Sequence, residues 1–512
     1  MRAVRYIGYA CFAVLMIACK KEIDKPEPEP EPEPPEITDQ QVIREGIYDY
    51  YNKYSLWTTS IDDLEGDVLR TFTAQYTSYN GLLSALKEKT PAYSFAAYTY
   101  LDVNPGTHYD RYSYLVDDNT SSGQVSRADG LRMDTNEGYG MYTGWVIVDE
   151  ANRKALPVLY FVEGGSPAAV AGITRGTKIL ALNGDSDMQV SYTCSGGSCS
   201  VSSADHLAFQ TKWNNALAGS SMELTVQNVD GKQREHTLTS ITYDIDPILA
   251  DTVYADRKVG YFAFSSFEET DPNTVNRSNF EAIFDDFEQA GIQSLIVDMR
   301  YNTGGYVNTA EYLANKVIGP GGNGKVMFTY EVNDYLKPYT INAGDGLDFR
   351  PVKFARDNSL ALEAVYFIVT EQTASAAELL INALKPHMKV VLVGETNRTY
   401  GKPVGFFEQE IRSNQLKVSL WATSFKTKNA AGETDYWNGL SVDVDKMAVD
   451  RIGRNFGDPT EDMIAKTLQL IAGTTANKAT VVRVGAKSST LSGKFDFVNK
   501  PTEKNMLKKR KQ

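Results

Sequence analysis

Apolar side chains are spaced differently in three successive stretches of the chain, and each stretch predicts a different kind of domain. From residue 38 onwards the apolar and aromatic positions follow a helical repeat, at Ile43, Ile47, Tyr50 and Tyr54. A mixed, Tyr-rich sequence then continues to about residue 131. We predict a small helical N-terminal domain over residues 38–131, with no chemistry of its own.

Residues 132–245 contain short runs typical of β-strands, such as 145–148, separated by turns. Within 164–184 an Ala-rich helical segment is followed by a glycine turn and a strand that ends at Asn-Gly. This order resembles a PDZ domain, which adds a peptide strand to the edge of its sheet. A β-rich spacer is the alternative. The resemblance implies a loop that binds a peptide carboxylate, formed by Gly138, Tyr139 and Gly140.

Helical and strand patterns alternate over residues 246–471. A helical face at 280–287 precedes a near-continuous apolar strand at 295–299, and the alternation recurs at 365–370 and 390–393. Such alternation predicts an α/β domain with a mostly parallel sheet. The expected fold class is therefore multidomain, α/β plus β-rich.

Composition and charge exclude some classes of function. The 512 residues include 65 acidic and 52 basic side chains, and the net charge of −13 argues against a nucleic-acid partner, which requires a concentrated basic surface. Four His and four Cys are too few for a Cys/His metal cluster, and the sequence implies no metal or other cofactor. Residues 472–512 lose periodicity and end in a basic run, which predicts a frayed, solvated tail.

The N-terminus predicts export. Arg2 and Arg5 precede an apolar stretch, residues 6–18, that is too short to span a bilayer. We interpret residues 1–18 as a cleaved signal peptide. A small residue directly before Cys19 resembles a bacterial lipoprotein signal, which implies that Cys19 becomes the lipidated N-terminus. An ordinary signal peptide with an incidental cysteine is the alternative.

Residues 19–37 form a Pro- and Glu-rich linker that cannot pack a core and favours an extended chain. A stiff, charged spacer after a lipid predicts a membrane-anchored protein of the bacterial cell envelope, on its periplasmic or its outer face. Cys194 and Cys199 flank a tight Gly/Ser loop. Outside the cytoplasm this pair predicts a disulfide rather than a metal site.

Three loops that follow predicted strands carry the candidate chemistry. Because the carboxyl ends of parallel strands lie at one edge of a sheet, we expect these loops to meet. The loops contain a glycine pair, a serine that opens a helix, and a lysine, which are Gly304 and Gly305, Ser375, and Lys402.

Each of these residues also has a purely structural interpretation. Ser375 and Glu378 before an apolar run form a helix capping box, the glycine pair is a plain turn, and Lys402 is a surface lysine. The functional interpretation depends on the three features occurring together.

Together the three loops resemble the motifs of the C-terminal processing (tail-specific) serine peptidases. The similar stretches are 298–305, 373–378 and 394–402, in the order found in that family. With the PDZ-like region, the resemblance covers roughly residues 40–470. It implies a crotonase-like peptidase domain that hydrolyses peptide bonds in polypeptide substrates.

The family further implies a Ser–Lys dyad, with Ser375 as nucleophile and Lys402 as general base. A serine hydroxyl needs a neighbouring base, and Ser–Lys pairs are a known form of that arrangement. The implied oxyanion hole consists of the Ala376 N–H and one N–H from Gly304 or Gly305. Donors of this kind at a helix N-terminus favour a developing negative charge.

Two features depart from the family pattern. The interval between Ser375 and Lys402 is slightly longer than is typical, with Asn397 and Arg398 in the position of an insert. Phe406 stands where relatives often carry a glutamine that orients the lysine. Glu378 is therefore a candidate supporting residue.

The leading hypothesis is a lipid-anchored serine endopeptidase. A second hypothesis is a peptide-binding PDZ lipoprotein whose peptidase fold has lost activity. A third is a hydrolase that uses His387 as its base, which we disfavour because His387 is predicted at the far end of the helix that begins at Ser375.

Overall fold

A computed structural model describes residues 37–99, 101, 104–117, 135–195, 198–473, 499 and 504–509. The predicted signal peptide, Cys19, nearly all of the Pro/Glu linker and most of the predicted tail lie outside these residues. From Asp39 onwards the chain forms one compact unit. No helix in the described ranges has the length and apolarity needed to cross a bilayer.

The N-terminal region is helical, as its apolar spacing predicts, but it does not pack by itself. Its elements are α1 (Asp39–Tyr54), α2 (Gly66–Thr73), α3 (Tyr79–Lys87) and β1 (Tyr114–Asp117). The buried helix positions share one core with a hairpin near residue 415, through Ile43, Ile47, Leu82, Leu86, Ile411, Val418 and Leu420. The helices predicted as a separate domain over 38–131 thus share a core with strands β19 (Gln409–Ser413) and β20 (Leu416–Trp421).

The second region is a β-rich domain with its own core. Its elements are β2 (Thr135–Gly138), β3 (Met141–Asp149), β4 (Lys154–Val162), α4 (Pro167–Val170), β5 (Lys178–Leu182), β6 (Val190–Ser195), β7 (Ser198–Val201), α5 (Ser203–Leu217), β8 (Ser221–Gln227), β9 (Gln233–Thr239) and β10 (Ile241–Asp244). The sheet has the order β7-β6-β4-β5-β8-β9, with β3 beside β4. Trp145, Phe209 and Trp213 anchor α5 in the core. Cys194 and Cys199 are joined as a disulfide between β6 and β7.

The third region contains the predicted βα alternation. Its elements are β11 (Ile248–Tyr254), β12 (Val259–Phe264), α6 (Val275–Ala290), β13 (Ser294–Asp298), α7 (Val307–Val317), β14 (Val326–Val332), β15 (Val352–Lys353), β16 (Ala364–Val369), α8 (Ala376–Leu384), β17 (Lys389–Gly394), β18 (Val404–Phe406), β19 (Gln409–Ser413), β20 (Leu416–Trp421), β21 (Thr423–Asn429), α9 (Asp462–Ile471) and β22 (Met506–Leu507).

The main sheet has the order β11-β12-β13-β16-β17, and the last four of these strands are parallel. The residues of β12, β13 and β16 are buried throughout, which explains why these strands are continuously apolar. A second sheet, β15-β14-β21-β18-β22, lies beside the first and was not predicted.

The C-terminal segment differs from its prediction. Residues 504–509 do not form a solvated tail, because Met506 and Leu507 are buried and pair with β18 as strand β22. Two apolar residues among lysines carry no periodic signal. Their burial depends on the edge of a strand a hundred residues earlier in the chain, which a local pattern cannot reveal.

A buried cluster of charged side chains joins the β-rich domain to the α/β domain. Arg300 contacts Asp298 at 2.7 Å, Asp450 at 2.6 Å and Glu461 at 3.0 Å. Arg175, from the β-rich domain, contacts the same Asp450 at 2.5 Å. Burial tends to raise the pKa of Asp450, but the two guanidinium groups hold it well below its usual value. Each buried charge in this cluster has lost its hydration and is stabilised only by its oppositely charged partners.

Replacing Arg300 with Met should lower the free energy of unfolding by about 3–5 kcal/mol, because three buried carboxylates would lose their shared cation. Denaturant unfolding followed by circular dichroism measures the change. Arg350→Met is the matched control, since Arg350 pairs with Asp348 while its own side chain is 52% exposed. We expect the control to cost no more than about 1 kcal/mol. Equal losses in the two variants would contradict a special role for the buried cluster.

Candidate active site

The loops that follow β13, β16 and β17 meet at one edge of the parallel sheet. Ala374 N–H donates to the Asn302 carbonyl at 3.1 Å, which joins the first loop to the second. Tyr400 N–H donates to the Thr373 carbonyl at 3.0 Å, which joins the third loop to the second. Neighbouring parallel strands therefore bring together the three loops singled out in the sequence.

Ser375 occupies a backbone conformation that non-glycine residues rarely adopt. Its φ is 63° and its ψ is −117°, directly before the first residue of α8. The residue is fully buried, and its hydroxyl makes no hydrogen bond with any residue that the structure describes. Strain of this kind costs about 1–3 kcal/mol and is concentrated at functional sites. Glu378 accepts the Ser375 N–H, as in the predicted capping box, but the backbone of Ser375 is not that of an ordinary helix cap.

Glu378 is a buried carboxylate that ties two of the loops together. Its Oε2 accepts the backbone N–H groups of Ser375 at 3.0 Å and Lys402 at 2.8 Å. Its Oε1 accepts the Gly401 N–H at 2.8 Å and the Thr399 hydroxyl. Burial raises the pKa of Glu378, and these four hydrogen bonds oppose the increase. Because one oxygen binds both amides, Ser375 and Lys402 are held side by side.

The glycine pair lies against the start of α8. A Cβ on Gly304 would stand 2.7 Å from the Ser375 Cβ and 3.1 Å from the Ala376 nitrogen, so no side chain fits there. The Gly304 N–H already donates to Asn302 Oδ1 at 3.0 Å. The N–H groups of Gly305 and Ala376 have no such partner within the described ranges. Of the two glycines predicted as alternative oxyanion donors, the geometry favours Gly305.

Lys402 is buried, with 4% of its surface exposed. Its Nζ donates to Asn505 Oδ1, from the C-terminal segment. The ammonium also lies 5.2 Å from the ring centre of Tyr112 and 5.4 Å from that of Phe406. Phe406 therefore provides an aromatic wall in the position where a glutamine was expected. Lys402 is not the surface lysine of the structural interpretation.

The N-terminal region contributes side chains that sequence reasoning missed. Tyr112 and Tyr98 donate from their hydroxyls to the carbonyls of Gly401 at 2.6 Å and Tyr400 at 2.9 Å. Arg398, in the predicted insert, donates to the Ala97 carbonyl at 2.7 Å. These contacts fix the loop that carries Lys402. The density of tyrosines before residue 115 was the only signal, and it did not indicate where they pack.

The predicted carboxylate loop is built into the β-rich domain. Tyr139 is buried and donates from its hydroxyl to the Gly219 carbonyl. Gly140 has a φ of 71°, and a Cβ there would lie 2.2 Å from the Ser166 Cβ. Its carbonyl accepts the Glu163 N–H at 2.9 Å. The role of this loop in binding a peptide stays a prediction.

His387 does not join the candidate site. It lies beyond the far end of α8, whose nine residues span about 13 Å along the helix axis from Ser375. Its Nε2 lies 2.9 Å from the Val326 carbonyl, at the other end of the helix. Among the residues that the structure describes, no three His, Cys, Asp or Glu side chains are grouped as metal ligands.

Comparison with known proteins shows what this region is similar to. Residues 258–443 match the sequence profile of peptidase family S41. This range contains the three loops, Ser375 and Lys402. These residues are therefore similar to peptidase family S41, and carboxyl-terminal processing proteases are among the proteins that the chain resembles.

Two relatives illustrate the similarity. Carboxyl-terminal-processing peptidase 3 of Arabidopsis thaliana chloroplasts is 26% identical over 270 residues, which are 51% of this chain and 45% of that protein. Carboxy-terminal processing protease CtpA of Bacillus subtilis is 27% identical over 268 residues, 51% of this chain and 48% of that protein. The chain thus spans about half the length of these relatives.

A solved structure extends the likeness in fold. A crystal structure from Bacteroides fragilis assigned to the S41 proteases covers 84% of this chain and 97% of its own, with a TM-score of 0.56 and 20% identity. At this identity the likeness concerns the fold alone. It supports the mixed α/β, multidomain architecture described above.

Replacing Glu378 with Gln should lower the free energy of unfolding by about 2–3 kcal/mol, because an amide NH₂ would face backbone N–H donors. The loops of Ser375 and Lys402 would also lose their common acceptor, so any Ser375-dependent turnover should fall. Denaturant unfolding and turnover, measured on the same preparation, check both effects. Glu363→Gln, on an exposed carboxylate, should change neither quantity. An unchanged stability in the Glu378 variant would contradict the role given to this carboxylate.

Proposed function

We propose that the protein is a serine endopeptidase that hydrolyses peptide bonds in polypeptides, with Ser375 as nucleophile and Lys402 as general base. One observation carries the proposal. A strained, buried serine with an unpartnered hydroxyl begins α8, and one oxygen of Glu378 binds the backbone of this serine and of Lys402. The S41-family match of the same region supports it.

The proposed reaction has two stages. Ser375 Oγ attacks the carbonyl carbon of the substrate and its proton passes to Lys402 Nζ, while the N–H groups of Gly305 and Ala376 stabilise the oxyanion. Lys402 then gives the proton to the leaving amine, and the C–N bond breaks to leave an acyl-enzyme. A water molecule hydrolyses the ester in the second stage, with Lys402 again as the base.

The dyad requires a neutral lysine next to the serine. Lys402 has little exposure to water, with the rings of Tyr112 and Phe406 on two sides and Asn505 Oδ1 as a hydrogen-bond acceptor. Removal from water disfavours a charged ammonium. Glu378 acts in this proposal as a positioning residue, because it holds the backbone of both partners and does not contact the substrate.

Location and substrate capture complete the proposal. The lipoprotein-like N-terminus, with Cys19 as the lipidated residue, would anchor the enzyme in the bacterial cell envelope through the Pro/Glu linker. The β-rich domain would act as a PDZ module that captures a chain end, with the carboxylate bound at the loop of Gly138, Tyr139 and Gly140.

Replacing Ser375 with Ala, or Lys402 with Ala, should each reduce the cleavage of unstructured polypeptides by about 10³-fold or more. The chain from residue 37 onwards is incubated with a mixture of unfolded polypeptides, and the fragments are identified by mass spectrometry. His387→Ala and Lys337→Ala, the latter on a side chain that is 73% exposed, are the controls and should retain activity. Cleavage that persists in both dyad variants would exclude the proposed mechanism. No cleavage by the unchanged chain would instead favour an inactive peptide-binding protein.

Peptides with a free C-terminus should bind the β-rich domain about tenfold or more tightly than the same peptides with an amidated C-terminus. The difference arises because the proposed loop recognises the terminal carboxylate through charge-assisted hydrogen bonds. Fluorescence anisotropy with the Ser375→Ala chain measures binding without cleavage. Equal affinities for the two forms would rule out the carboxylate loop at 138–140.

A further inference from the structure

The C-terminal segment lies inside the cleft of the candidate active site. Strand β22 (Met506–Leu507) runs parallel to β18, and the Lys508 N–H donates to the Phe406 carbonyl at 2.9 Å. On its other side the Leu507 N–H donates to the Gly305 carbonyl at 3.1 Å, next to a parallel bridge with Tyr306. The segment is thus a strand that lies between β18, which follows Lys402, and the glycine pair.

Residues of this segment contact both sides of the site. Asn505 accepts a hydrogen bond from Lys402 Nζ through its side-chain oxygen. Its neighbour Lys504 donates from its backbone N–H to Thr303 Oγ1 at 2.7 Å, directly before the glycine pair. The Ser375 hydroxyl makes no hydrogen bond in the described part of the chain, so it is not bonded to Lys402 here. With the segment in place, the proposed dyad is not assembled.

The basic end of the segment lies beside acidic side chains. A cavity of about 590 Å³ next to it is lined by Lys508 and Lys509, by the acidic residues Asp271, Glu311 and Asp348, and by Arg350 among others. Lys509 forms an ion pair with Glu269 and lies 3.7 Å from Asp271. The Lys508 ammonium stacks 4.4 Å from the ring centre of Tyr330. Charge complementarity therefore adds to the strand pairing.

A further contact links the segment to the β-rich domain. Asn499 accepts the Thr143 N–H at 2.8 Å and donates to the Met141 carbonyl at 2.9 Å. These two residues open β3, immediately after the loop at 138–140. The Tyr160 hydroxyl donates to the Asn499 carbonyl at 2.9 Å. Asn499 thus contacts the strand that follows the loop at 138–140, and residues 504–509 contact the candidate active site.

We propose that the C-terminal segment of this chain is an intramolecular inhibitor, which occupies the strand position of a polypeptide substrate and keeps Lys402 bonded to Asn505. The inhibition of cleavage, unlike the occupation of the cleft, rests on the proposed peptidase function. A substrate must displace a tethered strand, and tethering gives that strand an effective concentration in the millimolar range. The uninhibited enzyme is therefore the form in which residues 504–509 have left the cleft.

Binding tests the inference without requiring hydrolysis. In the Ser375→Ala chain, the double change Met506→Asp and Leu507→Asp places two charges in a buried strand and should release the segment. A fluorescent peptide with the sequence of residues 499–512 should then bind to this released variant about tenfold or more tightly than it binds to the Ser375→Ala chain whose own segment is intact. Leu207→Asp, on a residue that is 60% exposed, is the matched control and should bind no more tightly.

Activity provides the second readout. In the chain that retains Ser375, the same double change should raise the rate of polypeptide cleavage about tenfold or more. The peptide of residues 499–512 should inhibit this released enzyme, and a peptide of the same composition in scrambled order should not. Lys509→Glu should raise the rate about two- to fivefold, because it replaces the ion pair with Glu269 by a repulsion between two carboxylates. Position 509 is exposed, so this change should not disturb folding. Adding Glu269→Lys should restore the lower rate, and Lys337→Glu should leave it unchanged.

Each outcome is informative on its own. A gain in peptide binding with no cleavage by any variant would support the occupied cleft and refute the peptidase. Cleavage that depends on Ser375 but is no faster after release of the segment, with no gain in peptide binding, would overturn the inhibitor and leave the peptidase in place. An intact mass showing that the Ser375 chain removes its own last residues, while the Ser375→Ala chain keeps them, would identify the segment as a substrate and also overturn the inference.

Discussion

Glu378 buries a carboxylate at the start of α8, where hydrogen bonds must offset the loss of hydration. Its two oxygens accept three backbone N–H groups and one hydroxyl, and these donors come from the start of α8 and from the loop after β17. Ser375 and Lys402 are 27 residues apart in the chain. Their proximity therefore depends on a single buried group that neither loop can satisfy alone.

The same principle connects the larger regions of the molecule. Arg175 of the β-rich domain and Arg300 of the α/β domain share Asp450, so the two regions cannot separate without exposing unpaired charges. Arg300 is the second residue after β13 and precedes the glycine pair. The loop beside the candidate nucleophile is thus fixed from one side by the sheet and from the other by the neighbouring domain.

Much of the fold was predictable because it follows local patterns. Continuous apolar runs marked the buried parallel strands, helical spacing marked α6, and the turns that follow β13, β16 and β17 indicated one functional edge. The glycine pair was recognised, but which N–H remains available depended on the side chain of Asn302. Likewise, Ser375 and Glu378 read as a capping box, and only the backbone angles distinguish a strained serine from an ordinary cap.

The sequence by itself determined the class of the domains and the identity of the three candidate loops, because apolar periodicity and the rules for parallel sheets act over short distances along the chain. Only the tertiary structure decided which distant segments complete the site. Tyr98 and Tyr112 from the N-terminal region bind the loop that carries Lys402, and the segment around Leu507 returns to pair with β18. A strand of two residues is too short to show an alternating pattern, so its place is decided by hydrogen bonds and packing between residues far apart in the chain.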